Sequence, residues 1–314
     1  MKHVFLIKPA AGKKQGALQL IPRIKELFAG RKEAYEICVT DHRGHATELV
    51  AERCALGEPM RFYACGGDGT LSETLAGMEN CPHAQITNIP CGSANDFLRM
   101  FPQAQAFADL EQVIDGQCVP MDGVLCNGKL ALNICSMGMD ADVASRMVKF
   151  KRLPLVSGPM AYRLGVAETF FHRFGRDLKV RMHTPQGVVE KQGRFLFALA
   201  ANGQYYGGGY HGAPQASPCD GLLDFVLVDV ISRFKILSFL SKYSAGKHIG
   251  TKGCHFFQGT KMEVEAAKPA AINNDGECRM SEKVVFEVLA KAVNFVLPKV
   301  CLPKEWQLQT VCAE

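Results

Sequence analysis

Short apolar runs alternate with helix-spaced apolar positions through the first third of the chain. Residues 4–7, 34–39, 61–64 and 86–89 read as strands, and residues 17–28, 46–56 and 71–78 between them carry the spacing of amphipathic helices. This strand–helix rhythm predicts a parallel sheet covered by helices on both faces. Ligands of such sheets sit beyond the carboxyl ends of the strands, so the loops that follow each strand are where chemistry is expected.

From about residue 121 the pattern turns to strands, at 130–135, 178–182, 195–201, 222–230, 261–265 and 284–289. Gly- and Pro-rich turns separate them, including Gly207-Gly208-Gly209, and one helix is expected at 233–243. The predicted fold class is α/β plus all-β. An α/β domain with a parallel sheet spans residues 1–121, a β-sandwich domain spans 122–298, and a tail, 299–314, returns to the first domain.

A chain of 314 residues agrees with two domains, and 47% hydrophobic with 21% charged residues is ordinary globular usage. The thirteen cysteines form no CxxC pair, so reduced thiols are expected rather than a disulfide framework or a zinc site. The opening Met1-Lys2-His3-Val4 leads into a short apolar run without a signal-type segment, and the expected location is cytoplasmic. The apolar stretch 284–300 is broken by Glu287, Lys291 and Lys299, so any membrane contact is expected to be peripheral.

The net charge is only +5, yet residues 146–181 hold nine Lys and Arg against two acids, interleaved with Leu153, Leu155, Val156, Tyr162, Phe170 and Phe171. Basic and apolar together suit an anionic bilayer, and the helix with Ile236, Leu237, Phe239 and Leu240 beside Arg233, Lys235 and Lys242 invites the same reading. A solvated helix face with its apolar side on the core fits the pattern equally well. No nucleic acid is expected as a partner, and the oligomeric state, a homodimer included, is left open.

The strongest chemical signal is Gly66-Gly67-Asp68-Gly69-Thr70, between a strand and a helix beginning near Leu71. Glycines bring backbone amides against a bound oxyanion, and the helix N-terminus adds partial positive charge, so phosphate is the expected guest. Thr70 and Glu73 also have capping-box spacing. An acid among phosphate-binding glycines would repel a nucleotide unless it helped hold a cation, which points Asp68 toward Mg²⁺, with Asp96 and Asp122 extending an acidic network.

Two more loops at strand ends fit a phosphate cradle: Lys8-Pro9-Ala10-Ala11-Gly12-Lys13-Lys14 and Pro90-Cys91-Gly92-Ser93-Ala94-Asn95-Asp96-Phe97. Thr40 offers a hydroxyl just before a helix, as a nucleotide contact or as a helix-entry turn. The chain contains no GxxxxGK[ST] and no dinucleotide fingerprint, so the phosphate-binding solution is a different one.

Those loops, with Gly207–Gly209 followed by Pro214, Ala216 and Asp220-Gly221-Leu222-Leu223-Asp224, and with Asp275-Gly276-Glu277, resemble the diacylglycerol kinase catalytic-domain family. That family includes sphingosine and ceramide kinases and the bacterial YegS-like lipid kinases, and the resemblance covers nearly the whole chain. It implies an ATP-dependent lipid kinase with ATP in a cleft between an α/β domain and a β-sandwich. Thr40, Gly66, Gly67, Asp68, Gly69, Thr70, Leu71, Ser72 and Ser93 would line the nucleotide, with Ser93 where threonine is usual. The family's Asn-Pro is here Lys8-Pro9, and Lys8 can meet a phosphate as a point charge.

Phosphoryl transfer also asks for a base that takes the acceptor's proton. Asp275-Gly276-Glu277 places two acids around a turn glycine, although Asn273-Asn274-Asp275-Gly276 is equally a β-turn sequence. The resemblance implies Glu277 as the proton acceptor, with Asp275 the second choice. It also implies a structural Mg²⁺ on Asp220 with the main-chain carbonyls of Ser217 and Leu222. Two rival readings stand: a kinase for a soluble acceptor such as NAD, and a nucleotide- or lipid-binding relative without activity.

Overall fold

The structure, a computed structural model, describes residues 1–11, 16–79, 81–150, 160, 164–165, 168, 175–304 and 306. Most of the basic–apolar segment 146–181 and residues 12–14 of the first loop lie outside the described residues. The chain divides into two units, Met1–Met121 with Lys291–Glu314, and Asp122–Ala290.

In the first unit β1 (Lys2–Ile7), β2 (Tyr35–Val39), β3 (Met60–Gly66) and β4 (Gln85–Pro90) pair in the order β4-β3-β1-β2, every pairing parallel. Alternate residues of β1 serve the two faces. Val4 and Leu6 pack with Met60 and Phe62 against Ala46 and Val50 of α2 (His45–Cys54). On the other face Phe5 stacks on Tyr63 at 4.3 Å and meets Phe28 of α1 (Leu20–Ala29), whose buried Leu20, Ile24 and Phe28 recur every four residues. His3 lies on this face too, its Nδ1 2.7 Å from the Tyr63 hydroxyl.

α3 (Asp68–Gly77) follows β3 and α4 (Leu110–Ile114) precedes β5 (Gln117–Cys126). The last strand, β13 (Glu277–Leu297), brings its end back into this unit, where Asn294 and Phe295 pair in parallel with Gln85 and Ile86. A buried hydrogen bond from Thr87 Oγ1 to the Val296 carbonyl, 2.8 Å, fixes that return, and Phe295 sits among Phe97, Phe101 and Phe107.

The second unit is antiparallel in every pairing given for its strands: β6 (Lys129–Ala131), β7 (Ile134–Gly138), β8 (Arg176–Thr184), β9 (Gly187–Ala201), β10 (Leu223–Asp229), β11 (Cys254–Gly259) and β12 (Lys261–Asn274), with the start of β13. Two long strands organise it. The first half of β9 pairs with β8 and its second half with β7, while β12 pairs with β8 at Lys261–Ala266 and with β7 at Ile272–Asn274. Between them lies a core that includes Met137, Leu178, Val180, Met182, Phe225, Ile272 and Phe286.

The pattern of apolar residues marked only the buried half of β9, because Gly187–Arg194 is largely exposed. The single strand expected at 130–135 is two, β6 and β7, interrupted at Leu132 and Asn133, whose amides turn to the Asp275 carboxylate. α5 (Met139–Phe150) follows β7.

α6 (Arg233–Ser244) corrects the bilayer reading of its apolar side. Ile236, Phe239 and Tyr243 are buried against Leu196, Phe197, Leu199, Val226 and Val228, and Leu240 packs on the same cluster, because the outer face of β9 and β10 is itself apolar and needs a cover. The side chains of Arg233 and Leu237 lie outside the described residues. Among the described residues no helix is long and apolar enough to cross a membrane.

Thr87→Val leaves the Val296 carbonyl without its buried donor and is expected to cost about 1–3 kcal/mol, read from the shift of the urea midpoint. Burial holds His3 and His248 neutral, each lowered to about 4. An unfolded histidine takes its proton near pH ~6.5, so between that pH and about 4 the folded state binds fewer protons. Stability is therefore expected to fall as pH drops through this window, with a shallower fall in His3→Phe when unfolding midpoints are compared at the two ends.

Candidate active site

α3 begins at Asp68, three residues earlier than the sequence pattern suggests, with Gly67 as its N-cap. The amides of Thr70 and Leu71 both bond to the Gly67 carbonyl, at 2.9 and 3.2 Å. Thr70 thus lies inside the first turn, buried, and no capping box forms with Glu73; its carbonyl instead accepts the Thr74 hydroxyl at 2.8 Å. Gly69, in that same turn, is exposed with open space where a Cβ would stand. The turn offers a phosphate a helix N-terminus without side-chain obstruction.

Gly66 and Gly92 are required by close approach. A Cβ on Gly66 would overlap the Thr70 side chain, and one on Gly92 would overlap the Gly67 backbone. The loops after β3 and β4 are bonded at this approach, since the amides of Cys91 and Gly92 both reach the Gly66 carbonyl, at 2.9 and 3.1 Å.

Asp68 fastens the same two loops. Its Oδ1 accepts the Asp96 amide at 2.6 Å. Burial pushes its pKa up and backbone hydrogen bonding opposes the push. The sequence argument gave Asp68 to Mg²⁺, through water or directly; the structure shows one of its oxygens engaged by the Asp96 amide, so Asp68 also fastens the two loops. Asp96 is itself paired with Arg99, 3.0 Å away.

Of the other nucleotide candidates, Thr40 is buried with its amide and hydroxyl both on the Ile7 carbonyl, at 2.9 and 3.3 Å, which places it at the ends of β1 and β2. Leu71 is a core residue, Ser72 is half-buried on α3 and Ser93 is exposed on the loop after β4. Lys8, just past β1, donates its amide to the Cys65 carbonyl at 3.2 Å. The four loops therefore share the carboxyl edge of one parallel sheet.

In the second unit, Asp275 and Gly276 are the two central residues of a tight hairpin between β12 and β13, both with positive φ, 44° and 94°. The Asp275 carboxylate accepts the Leu132 amide at 2.7 Å, the Asn133 amide at 3.2 Å and the Ile134 amide at 3.0 Å. So bonded, it is ill-suited to take a proton from a substrate. Glu277 is exposed on the same hairpin.

The loop carrying Ser217, Asp220 and Leu222 is clasped by buried Asp122, whose Oδ2 accepts the Gly221 amide at 2.8 Å and whose amide donates to the Pro218 carbonyl at 2.7 Å. Asp220 is exposed and accepts the Leu222 amide at 3.0 Å. Burial and the nearby Asp122 raise its pKa, and burial raises that of Asp224 to about 7, with Asp224 Oδ2 buried and lacking a hydrogen-bond partner. This concentration of acid fits a cation bound at Asp220. Among the described residues no cluster of three His, Cys, Asp or Glu side chains is arranged for a metal, but the expected set needs one carboxylate and two carbonyls.

Sequence reasoning missed Asn202, fully buried, whose Nδ2 donates to the carbonyls of Asp122 and Leu132 at 2.9 and 2.7 Å. It joins the segments that Asp122 and Asp275 hold, and its only signal was an Asn-Gly pair closing an apolar strand.

Residues 2–126 match the diacylglycerol kinase catalytic domain, and residues 133–297 match the YegS C-terminal NAD kinase beta sandwich-like domain. A protein of Shewanella frigidimarina named a probable lipid kinase, YegS-like, is 31% identical over 81% of this chain and 80% of its own length. The diacylglycerol kinase of Bacillus subtilis is 26% identical over 82% and 83%. A crystal structure of a diacylglycerol kinase from Bacillus anthracis has the same fold, with a TM-score of 0.67 at 18% identity over 96% of this chain and 98% of that one. By its two matched domains and these relatives, the chain belongs to the lipid kinase family that comprises the YegS-like and diacylglycerol kinases.

Proposed function

We propose that this protein transfers the terminal phosphoryl group of ATP to a hydroxyl group of a lipid, diacylglycerol being a representative acceptor. The observation that carries the reading is the pair of glycine loops held together by Asp68 at the carboxyl edge of a parallel sheet. They present the open helix N-terminus at Gly69 to an anion, in a chain whose family is one of lipid kinases. The residues at the nucleotide are Thr40, Gly66 through Ser72, and Ser93, with Asp68 keeping the cradle in shape.

Glu277 is the group proposed to take the proton of the acceptor hydroxyl. Its exposure supports this, as does the engagement of Asp275 by three amides. Mg²⁺, when bound, would supply charge neutralisation to the phosphates, and Asp220 with the carbonyls of Ser217 and Leu222 would hold a cation that offsets the acids around that loop. Work on a lipid acceptor fits a cytoplasmic protein that meets a membrane surface peripherally, within phospholipid metabolism.

The reading is tested by incubating the protein with Mg²⁺ and labelled ATP, offering a lipid extract in one arm and NAD in another. A labelled lipid is expected; label in NADP with none in lipid would return the soluble-acceptor reading. Glu277→Gln should keep fold and ATP affinity while slowing transfer by roughly 10²–10⁴-fold. Asp275→Asn should act mainly on stability, losing about 1–3 kcal/mol as one of the two accepting oxygens becomes an NH2 that faces backbone amides. Equal turnover in wild type and Glu277→Gln would remove the base assignment. Asp68→Ala should weaken ATP binding, slow transfer at least about 100-fold and lower the melting temperature, because it releases the two loops.

A further inference from the structure

Lys8 departs from the asparagine of the resembling kinases, and its surroundings give that change a purpose. Its amide bond to Cys65 sets its backbone beside the residue that leads into Gly66. Its Nζ lies 3.8 Å from Glu73 Oε1 on α3, a loose ion pair beyond hydrogen-bonding distance, with the lysine side chain 34% exposed and the glutamate 16%.

The nearby charges are committed differently. Asp68 is bonded by the Asp96 amide, and Asp96 is held at 3.0 Å by Arg99, whose Nε also reaches the Ala94 carbonyl. Among the described residues of the loops after β1 and β4 there is thus one close ion pair, Arg99–Asp96, and one loose one, Lys8–Glu73, and the loose one keeps a flexible ammonium beside the loop that opens α3.

We propose that Lys8 binds the outer phosphates of the nucleotide, leaving Glu73 to do so, and thereby makes the site select triphosphate over monophosphate. The inference rests on the reading that these loops hold ATP. An ammonium on a flexible stem forms charge-assisted hydrogen bonds with phosphate oxygens wherever they arrive, which an asparagine does not. Glu73 compensates the charge of the empty site and competes with the nucleotide for it. Removing the two charges should consequently have opposite effects on ATP, whereas an ion pair that only braces α3 against β1 would give effects of one sign.

Isothermal titration of the full chain with ATP, ADP and AMP, at low and high salt, tests this. Lys8→Asn is expected to weaken ATP about tenfold and AMP less than about twofold, and to flatten the salt dependence of ATP binding. Glu73→Gln is expected to tighten ATP binding. Circular dichroism checks the fold of each variant; should Lys8→Asn not fold, charge-retaining Lys8→Arg must keep the wild-type preference while Glu73→Gln tightens ATP. An unchanged ATP-to-AMP preference in Lys8→Asn, or weaker ATP binding in Glu73→Gln, overturns the inference while leaving the nucleotide reading intact. A wild-type chain that binds none of the three nucleotides removes that reading, and the inference with it.

Discussion

The carboxylate of Asp68 reaches across 28 positions of sequence to the amide of Asp96, and the meeting of the loops after β3 and β4 depends on that reach. A carboxylate shielded from water is costly unless a donor meets it, and here the Asp96 amide does so at 2.6 Å. The backbones can come that near only because Gly66, Gly67 and Gly92 carry no side chains. The acid and the glycines are thus one device: the glycines permit contact between the loops, and the acid holds it.

The second unit repeats the principle. Asp275 gathers the amides of Leu132, Asn133 and Ile134, and Asp122 clasps the loop of Asp220. In each case an acid that is half-buried or buried positions the backbone, while another acid on the same or the clasped turn, Glu277 or Asp220, faces solvent. Asp275 and Asp122 thus hold backbone segments in place, each beside a more exposed acid.

Both units need these clasps because strands alone leave the loops undetermined. The parallel sheet is held by alternating side chains on its two faces and by the return of β13 among the phenylalanines at Phe97, Phe101 and Phe107. The antiparallel unit is held by the long strands β9 and β12, with α6 covering an apolar outer face. These frameworks bring loop ends near one another, and the buried carboxylates then fix which atoms meet.

Much of this was legible in the sequence, since side-chain periodicity and glycine spacing are local properties. Alternation placed β1, β2, β3 and β4 and the helices between them, and Gly66-Gly67-Asp68-Gly69-Thr70 marked the turn at which β3 passes into α3. The polar half of β9, the break between β6 and β7 and the burial of Ile236 and Phe239 were not legible, because each is decided by a partner distant in sequence. The same holds for the acids. Sequence marked Asp68 and Asp275 as chemistry-bearing residues, and only the tertiary structure shows their carboxylates turned to backbone amides from remote segments, since a hydrogen-bond acceptor carries no local sign of which donor folding will bring to it.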